Sequence, residues 1–124
     1  MSDIEYRKRK LRSKISKITE EKLVETITFN GNSIELSERN KTAILNRTYY
    51  ILTNIGEIMT TWQFNSGYIT LTRTQFLDFS NFISNYIESC FAVEEVAVKM
   101  LNECDSLADL EKFSLNFYWP ITSN

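Results

Sequence analysis

Large apolar side chains recur at alternating spacings of three and four along residues 74–104, and this pattern constrains the fold most. The side chains in register are Phe76, Phe79, Ile83, Tyr86, Cys90, Val93, Ala97 and Met100. Such spacing follows the 3.6-residue repeat of an α-helix. Further apolar residues flank the pattern, and a helix that is apolar over most of its circumference is buried on several sides. We therefore predict one long central helix at 74–104.

Six large side chains are predicted to anchor the core around this helix. They are Trp62, Phe76, Phe79, Ile83, Tyr86 and Phe91. The helix pattern is also compatible with a homo-oligomeric coiled coil, but its flanks are more apolar than a free-standing pair of helices would expose. For Trp62, packing against the long helix is favoured over a role as an interface hot spot.

Two β-hairpins are predicted from segments that alternate between apolar and polar residues. Residues 26–36 surround Asn30-Gly31, a pair that accepts positive φ at both positions and is a strong hairpin signal. Residues 60–72 repeat the pattern around Asn65-Ser66-Gly67. Pairing of the two hairpins into one small sheet is left open. The fold class is therefore α+β and predominantly helical.

Three more helices complete the prediction. Residues 4–24 form an amphipathic helix with a narrow apolar seam, in which Leu11 and Ile15 are central. Ser37 has the side chain of an N-cap for a helix at 38–59, although Gly56 lies inside it. Asp105 and Ser106 interrupt the long helix and cap a short helix at 106–113. We expect a single domain, residues 1–124, with a basic helix at 4–24, a core at 26–113 and an apolar tail at 114–124.

The composition argues against an enzyme. The chain has no histidine among its 124 residues, so the usual proton shuttle and the commonest metal ligand are missing. Cys90 and Cys104 would lie about 20 Å apart on one helix, too far for a disulfide, so we expect reduced thiols. No segment supplies a metal site, a nucleophile with its base, or a phosphate-binding loop. We expect no catalysis, no metal, no cofactor and no membrane span.

Positive charge is concentrated at the start of the chain, where residues 1–22 hold eight Lys or Arg and four Asp or Glu. The run Arg7, Lys8, Arg9 and Lys10 is the densest part. A solvated helix face is the simpler interpretation, and a contact with an acidic protein or with nucleic acid is the alternative. We treat these four residues as a candidate partner interface, with nucleic acid the less favoured partner.

The C-terminal tail offers a second candidate interface in Phe117, Tyr118 and Trp119. Apolar residues alternate with polar ones before them, which indicates an extended segment. Such a segment is expected to lie across the body of the protein or to be donated to a neighbouring molecule.

The order of these features resembles a bacteriophage family of unknown function found in or beside tail-fibre proteins. The matching features are the charged helix at 6–24, the alternating segment at 27–34, the capped stretch at 37–40, Trp62, Thr70-Leu71-Thr72 with Phe76, Tyr86 with Cys90, Phe91 and Glu94, Leu107 with Leu110, and Trp119-Pro120. The resemblance covers roughly residues 6–120, so it concerns nearly the whole chain.

The resemblance implies a structural or tail-fibre assembly protein that acts through protein–protein contacts without catalysis. Its expected partners are other phage virion or tail proteins, and it is expected to be a homo-oligomer or part of a larger assembly. The expected location is the virion, after synthesis in the host cytoplasm. The alternative function is a small nucleic-acid-binding regulatory protein that uses the basic helix.

Overall fold

The computed structural model describes residues 2–124, which form four α-helices and four short β-strands. Their order is α1 (Asp3–Leu23), β1 (Thr26–Phe29), β2 (Asn32–Glu35), α2 (Glu38–Thr53), β3 (Thr60–Phe64), β4 (Gly67–Leu71), α3 (Arg73–Asn102) and α4 (Leu107–Lys112). The predicted α+β class, the long helix and both hairpins are confirmed. None of the four helices combines the length and apolarity needed to cross a membrane.

The chain groups into two compact units that share α3. The helical unit contains the residues up to Leu23 together with Glu88–Pro120. The hairpin unit contains Val24–Ile87 and Ile121–Asn124. The single domain expected from the sequence stays a prediction, because one helix shared by two compact units is compatible with one domain or with two.

The hairpin unit contains both antiparallel hairpins, and each turn uses residues with the required backbone freedom. Asn30 and Gly31 join β1 to β2 with φ values of 49° and 80°, as the Asn-Gly pair predicted. Gly67 begins β4 opposite Phe64, with φ of 130°. The hairpins form two separate two-stranded sheets. A hydrogen bond from the amide of Asn65 to the carbonyl of Ser33, 2.8 Å long, links one hairpin to the other.

The core of the hairpin unit is a cluster of aromatic rings centred on Phe79. Its ring centroid lies 5.2 Å from Phe64, 5.8 Å from Phe29, 5.8 Å from Phe76 and 6.3 Å from Trp62. Phe76 and Phe79 are fully buried, and Trp62 is half-buried against both. The structure therefore places Trp62 between its hairpin and α3, the packing role favoured from the sequence.

One of the predicted core anchors is wrong. Ile83 and Tyr86 are buried in the hairpin unit, as expected, but Phe91 is 51% exposed. In the helical unit, α3 buries the side that carries Cys90 and Ala97. Phe91 follows Cys90 by one residue, which turns its side chain about 100° away from that side.

Helix α2 ends at Thr53, short of the predicted end at residue 59. The guanidinium of Arg73 donates a hydrogen bond of 2.7 Å to the carbonyl oxygen of Ile51, in the last turn. Gly56 has φ of 108°, a value outside the helical range, and Ile55 is fully exposed. The apolar spacing that predicted a helix up to residue 59 therefore continues beyond the end of α2, which Arg73 stabilises.

Side-chain caps fix the starts of α2 and α3. The hydroxyl of Ser37 accepts a hydrogen bond of 3.1 Å from the amide of Asn40, as predicted. At α3, Thr72 and Gln75 form a reciprocal capping box, with each side chain bound to the other residue's backbone amide at 3.2 and 2.9 Å. These caps place the starts of α2 and α3 close to the predicted starts at residues 38 and 74.

The helical unit has its own apolar core, in which α1, α3 and α4 meet. Ile15, Ala97, Leu101 and Leu110 are buried there. Partly buried side chains surround them, among them Leu11, Phe113 and Phe117. The apolar seam predicted along α1 is therefore the side that α1 buries. Cys90 is buried and Cys104 is partly buried, and no disulfide joins them.

The last three residues run beside β1 in parallel. The amide of Thr28 donates to the carbonyl of Thr122 at 2.7 Å, and the amide of Asn124 donates to the carbonyl of Thr28 at 3.2 Å. The side chain of Asn124 also accepts from the amide of Asn30, in the hairpin turn, at 2.8 Å. The tail was expected either to lie across the body of the protein or to be donated to a neighbouring molecule. In this structure its end lies against β1 of the same chain.

Asp109 makes the start of α4 sensitive to acid. The amide of Asp105 donates to its carboxylate at 3.0 Å, and this bond, with help from the Ser106 hydroxyl, lowers the pKa of Asp109 below the ordinary value of 3.8. Because the folded pKa lies below the unfolded one, the ionised group stabilises the fold above about pH 4. We expect that contribution to disappear as the pH falls through the lowered pKa.

Carboxyl chemical shifts followed by NMR during an acid titration would measure this pKa. Urea unfolding of Asp109→Asn, which keeps an oxygen acceptor but cannot titrate, should show a weaker loss of stability in acid. Glu111→Gln removes one negative charge from the same helix and serves as the control. A folded-state pKa for Asp109 at or above its ordinary value would contradict the assignment.

Candidate partner-binding surfaces

Two of the predicted tail residues line an apolar groove in the helical unit. Its walls are Ala92, Val93 and Val96 from α3 and Phe117 and Tyr118 from the tail, and its volume is about 320 Å³. The tail runs without regular secondary structure past α3 and supplies the second wall. We call this feature the apolar groove. It brings together chain segments that are more than twenty positions apart in sequence.

Helix α3 supplies its wall because apolar residues recur on one exposed side. Ala92, Val96 and Met100 are spaced by four and lie above one another along the helix. All three are exposed, with Val96 at 52%. A contiguous apolar surface of this kind on a folded protein marks a binding site more often than scattered single residues do.

The tail wall combines a fixed ring with a free one. Phe117 is half-buried, and its ring centroid lies 6.0 Å from that of Phe113, directly after α4. Tyr118 is 99% exposed, so its ring has almost no contact with the rest of the chain. Trp119, the third predicted residue, is half-buried and does not line the groove. Of the predicted trio, only Phe117 and Tyr118 therefore face a potential ligand.

The chemistry of the groove is that of an apolar receptor. None of its five lining residues is Asp, Glu, Lys, Arg or Cys. Exposed Glu95 and Lys99 lie one residue before Val96 and one residue before Met100, so they edge the apolar wall with charge. An apolar centre with a charged rim is the usual arrangement of a protein–protein interface. The groove can hold an apolar side chain, and its lining carries no carboxylate, amine or thiol.

The sequence identified the tail side of this groove and missed its helix side. The alternating spacing predicts Val93 as part of the buried pattern of α3, and Val96 is one of the apolar residues that flank this pattern. The four-residue spacing of Ala92, Val96 and Met100 was the available signal. It could not be separated from the core pattern, because α3 is apolar on more than one side.

The predicted basic cluster does not form one surface. Consecutive residues of a helix point about 100° apart, so Arg7, Lys8, Arg9 and Lys10 face different directions. The ammonium of Lys8 donates to the carbonyl oxygen of Asn102, at the end of α3, at 3.2 Å. That contact places a cation at a helix C-terminus, where the helix dipole favours it. Lys8 is therefore accounted for by packing within the helical unit.

The remaining cations are divided between two hollows on α1. Arg7 and Lys10 line one hollow, which also contains Glu111. Arg9 lines another of about 560 Å³, together with Arg12 and Lys17, which were not singled out from the sequence. The acidic residue Glu20 lies in the second hollow as well. Each hollow therefore mixes both signs of charge.

The chain matches no protein-family model, no curated protein and no solved structure. A functional assignment consequently rests on the surfaces described above and on the order of motifs in the sequence.

Proposed function

We propose that this chain works by binding another protein through the apolar groove, without catalysis, as a structural or assembly component of a bacteriophage tail. The single observation that carries the proposal is the groove itself, with the fully exposed ring of Tyr118 on one wall and Val96 on the other. A soluble partner that supplies an apolar side chain would remove both from water.

The phage context is supported by the resemblance in motif order, which includes Trp62, Thr70-Leu71-Thr72 and Trp119-Pro120. The proposed partner is accordingly another virion or tail protein. We place the working protein in the virion, after synthesis in the host cytoplasm. The absence of histidine from the sequence and of carboxylates, amines and thiols from the groove lining supports a role without chemistry.

The apolar groove can supply part of the free energy of binding. Covering the exposed parts of Val96 and Tyr118 is worth about 2–4 kcal/mol in total, before the costs of association. Tyrosine adds contact area at a low entropic cost, because only two side-chain torsions become fixed. Other contacts at the rim supply the rest, and we expect the affinity to depend strongly on Val96 and Tyr118.

A matched pair of substitutions on α3 tests this proposal. Val96→Glu places a charge in the groove, and Phe91→Glu places one on another side of the same helix at nearly equal exposure, 52% against 51%. Tail proteins would be retrieved from phage-infected cells with each purified variant and identified by mass spectrometry. We expect Val96→Glu to reduce retention of the tail partner at least tenfold and Phe91→Glu to leave it unchanged.

Two results would contradict the proposal. One is a chain that is absent from purified virions and retains no tail protein. The other is equal retention by the wild type and by Val96→Glu, which would leave the groove without a role in the contact.

We favour a protein partner over nucleic acid for a structural reason. Phosphate binding draws its strength from several cations that approach one backbone. Here Lys8 is engaged at the end of α3, and the hollow with Arg9, Arg12 and Lys17 also contains Glu20. The exposed cations of α1 therefore offer no single surface of one sign.

A further inference from the structure

Helix α2 carries a second apolar side that the hairpin unit leaves uncovered. Leu45, Tyr49 and Leu52 are spaced by four and three, so they line up along the helix. All three are largely exposed. We call them the α2 stripe. Beyond the end of the helix, Ile55 and Met59 are exposed as well.

The α2 stripe is separate from the side that α2 buries. Ile44 and Ile51 are fully or almost fully buried in the hairpin unit. Leu45 and Leu52 each follow one of them by a single residue, which turns their side chains about 100° away. Helix α2 is therefore apolar over a wider arc than its own unit covers, which is the pattern of a helix with a second packing partner.

The α2 stripe contains no charge that a partner would have to remove from water. Arg47 is the one charged residue between positions 42 and 53. Its guanidinium is held by the Thr60 hydroxyl at 2.9 Å and by the carbonyl of Met59 at 3.2 Å, and it lies 4.8 Å from the Tyr50 ring centroid. Lys41, one turn before Leu45, pairs with Glu38 at 2.9 Å. Two identical copies can therefore approach along this side without repulsion between unpaired like charges.

The exposed area matches the needs of a small dimer. Leu45, Tyr49 and Leu52 together expose the equivalent of about two whole side chains, or about 340 Å² at about 170 Å² each. Because protein interfaces are on average a little over half apolar, an interface with this apolar centre buries about 600 Å² on each copy. Two copies would bring together about 1,200 Å², the lower limit for specific interfaces.

A hollow beside the stripe is complementary to its largest side chain. The hollow has a volume of about 370 Å³ and lies between α2 and the first part of α3. Its lining combines apolar Ile44, Leu45, Ile83 and Ile87 with polar Lys41, Thr48, Ser80, Asn81 and Ser84. Tyr49 projects one helical turn away, on the same side as Leu45. The same side of the hairpin unit thus offers a protruding ring and a recess of a size that accepts one.

We propose that the α2 stripe is a self-association surface, on which a second copy of this chain packs its own α2 antiparallel about a twofold axis. A twofold interface uses the same patch on both copies, so contact of residue i with residue j implies the reverse contact. With the axis crossing midway between positions 45 and 49, Tyr49 meets the partner's Leu45 and reaches the partner's hollow. Leu52 then lies opposite the partner's Thr42, which is exposed and uncharged.

Sedimentation velocity of the purified full chain over a range of concentrations tests this inference. We expect a reversible dimer with a dissociation constant of about 1–100 μM, in keeping with the small area. Tyr49→Glu should weaken the dimer at least tenfold. Tyr68→Glu is the matched control, because Tyr68 is 72% exposed against 70% for Tyr49 but lies on β4. This control should dimerise like the wild type.

The arrangement of the two copies is tested by charge pairing. In the antiparallel arrangement, the double variant Leu45→Lys/Tyr49→Glu places each lysine opposite the partner's glutamate, so it should dimerise more tightly than either single variant. A chain that stays monomeric at about 0.5 mM would overturn the inference, since such weak association lies below any specific interface of this size. A dimer that Tyr49→Glu leaves intact would overturn it as well. Val96→Glu should leave the dimer unchanged, so this test is independent of the apolar groove.

Discussion

Phe79→Ala is expected to lower the free energy of unfolding by about 3–5 kcal/mol. Phe79 is fully buried, and its ring contacts those of Phe29, Trp62, Phe64 and Phe76. Truncation to alanine removes the transfer energy of the ring and leaves a cavity at the meeting point of both hairpins with α3. Its four aromatic neighbours also lose a ring contact each, three of them edge-on, and these losses form part of the total.

Urea unfolding monitored by tryptophan fluorescence would measure this effect, because Trp62 lies in the same cluster. The whole stability of a domain this size is about 5–15 kcal/mol, so the variant would be partly unfolded without denaturant if the wild type is at the low end. Phe91→Ala provides the control on the same helix, since Phe91 is half exposed and should cost less than about 1 kcal/mol. Equal losses from both substitutions would contradict the assignment of Phe79 as the centre of the core.

Leu101→Ala is expected to be the second most damaging change, at about 2–5 kcal/mol. Leu101 is fully buried in the core of the helical unit, where Ile15 of α1 and Leu110 of α4 are also buried. Helix α1 is highly charged and amphipathic, and such a helix gains most of its stability from packing rather than from its own propensity. Loss of Leu101 should therefore loosen α1 before the hairpin unit is affected.

Amide hydrogen exchange would detect this loosening residue by residue, as faster exchange along Asp3–Leu23 than along β1–β4. Met100→Ala is the neighbouring control, because Met100 is about half exposed and makes no part of the buried cluster. It should change stability by less than about 1 kcal/mol. If Met100→Ala proved as costly as Leu101→Ala, the orientation of α3 in this unit would be wrong by about 100°.

The sequence predicted the elements of the fold because their signals are local. Helical spacing at 74–104 and around Ile15 marked α3 and α1, and the Asn30-Gly31 pair marked a turn that needs positive φ at both residues. Ser37 marked the start of α2. Each of these signals depends on neighbouring residues alone, so no knowledge of the tertiary structure was needed.

The errors concern features that distant residues determine. The end of α2 is set in part by Arg73, which lies 22 positions beyond Ile51. The exposure of Phe91 and of Met100 depends on which side of α3 is covered in the helical unit. A helix that is apolar nearly all round gives no indication of that side. The same ambiguity concealed Val96 as part of the apolar groove.

The sequence predicted the tail residues of the candidate site, but it could not predict which residues of α3 lie opposite them. Phe117 and Tyr118 were selected because large apolar residues cluster in a short extended segment, and the structure places both on the groove. Trp119 was selected for the same reason but lies outside it. The run from Arg7 to Lys10 was selected for its charge density, whereas helical geometry divides these cations among different sides of α1.

The three residues that run beside β1 have a consequence for the behaviour of the protein at high concentration. An unpaired strand presents a row of backbone amides and carbonyls that can template pairing with another molecule, the first step toward aggregation. Thr122 and Asn124 bind both backbone groups of Thr28 on the side away from β2. A strand of another molecule can therefore pair with that edge of β1 only after it displaces Thr122 and Asn124. These residues protect the edge from intermolecular pairing.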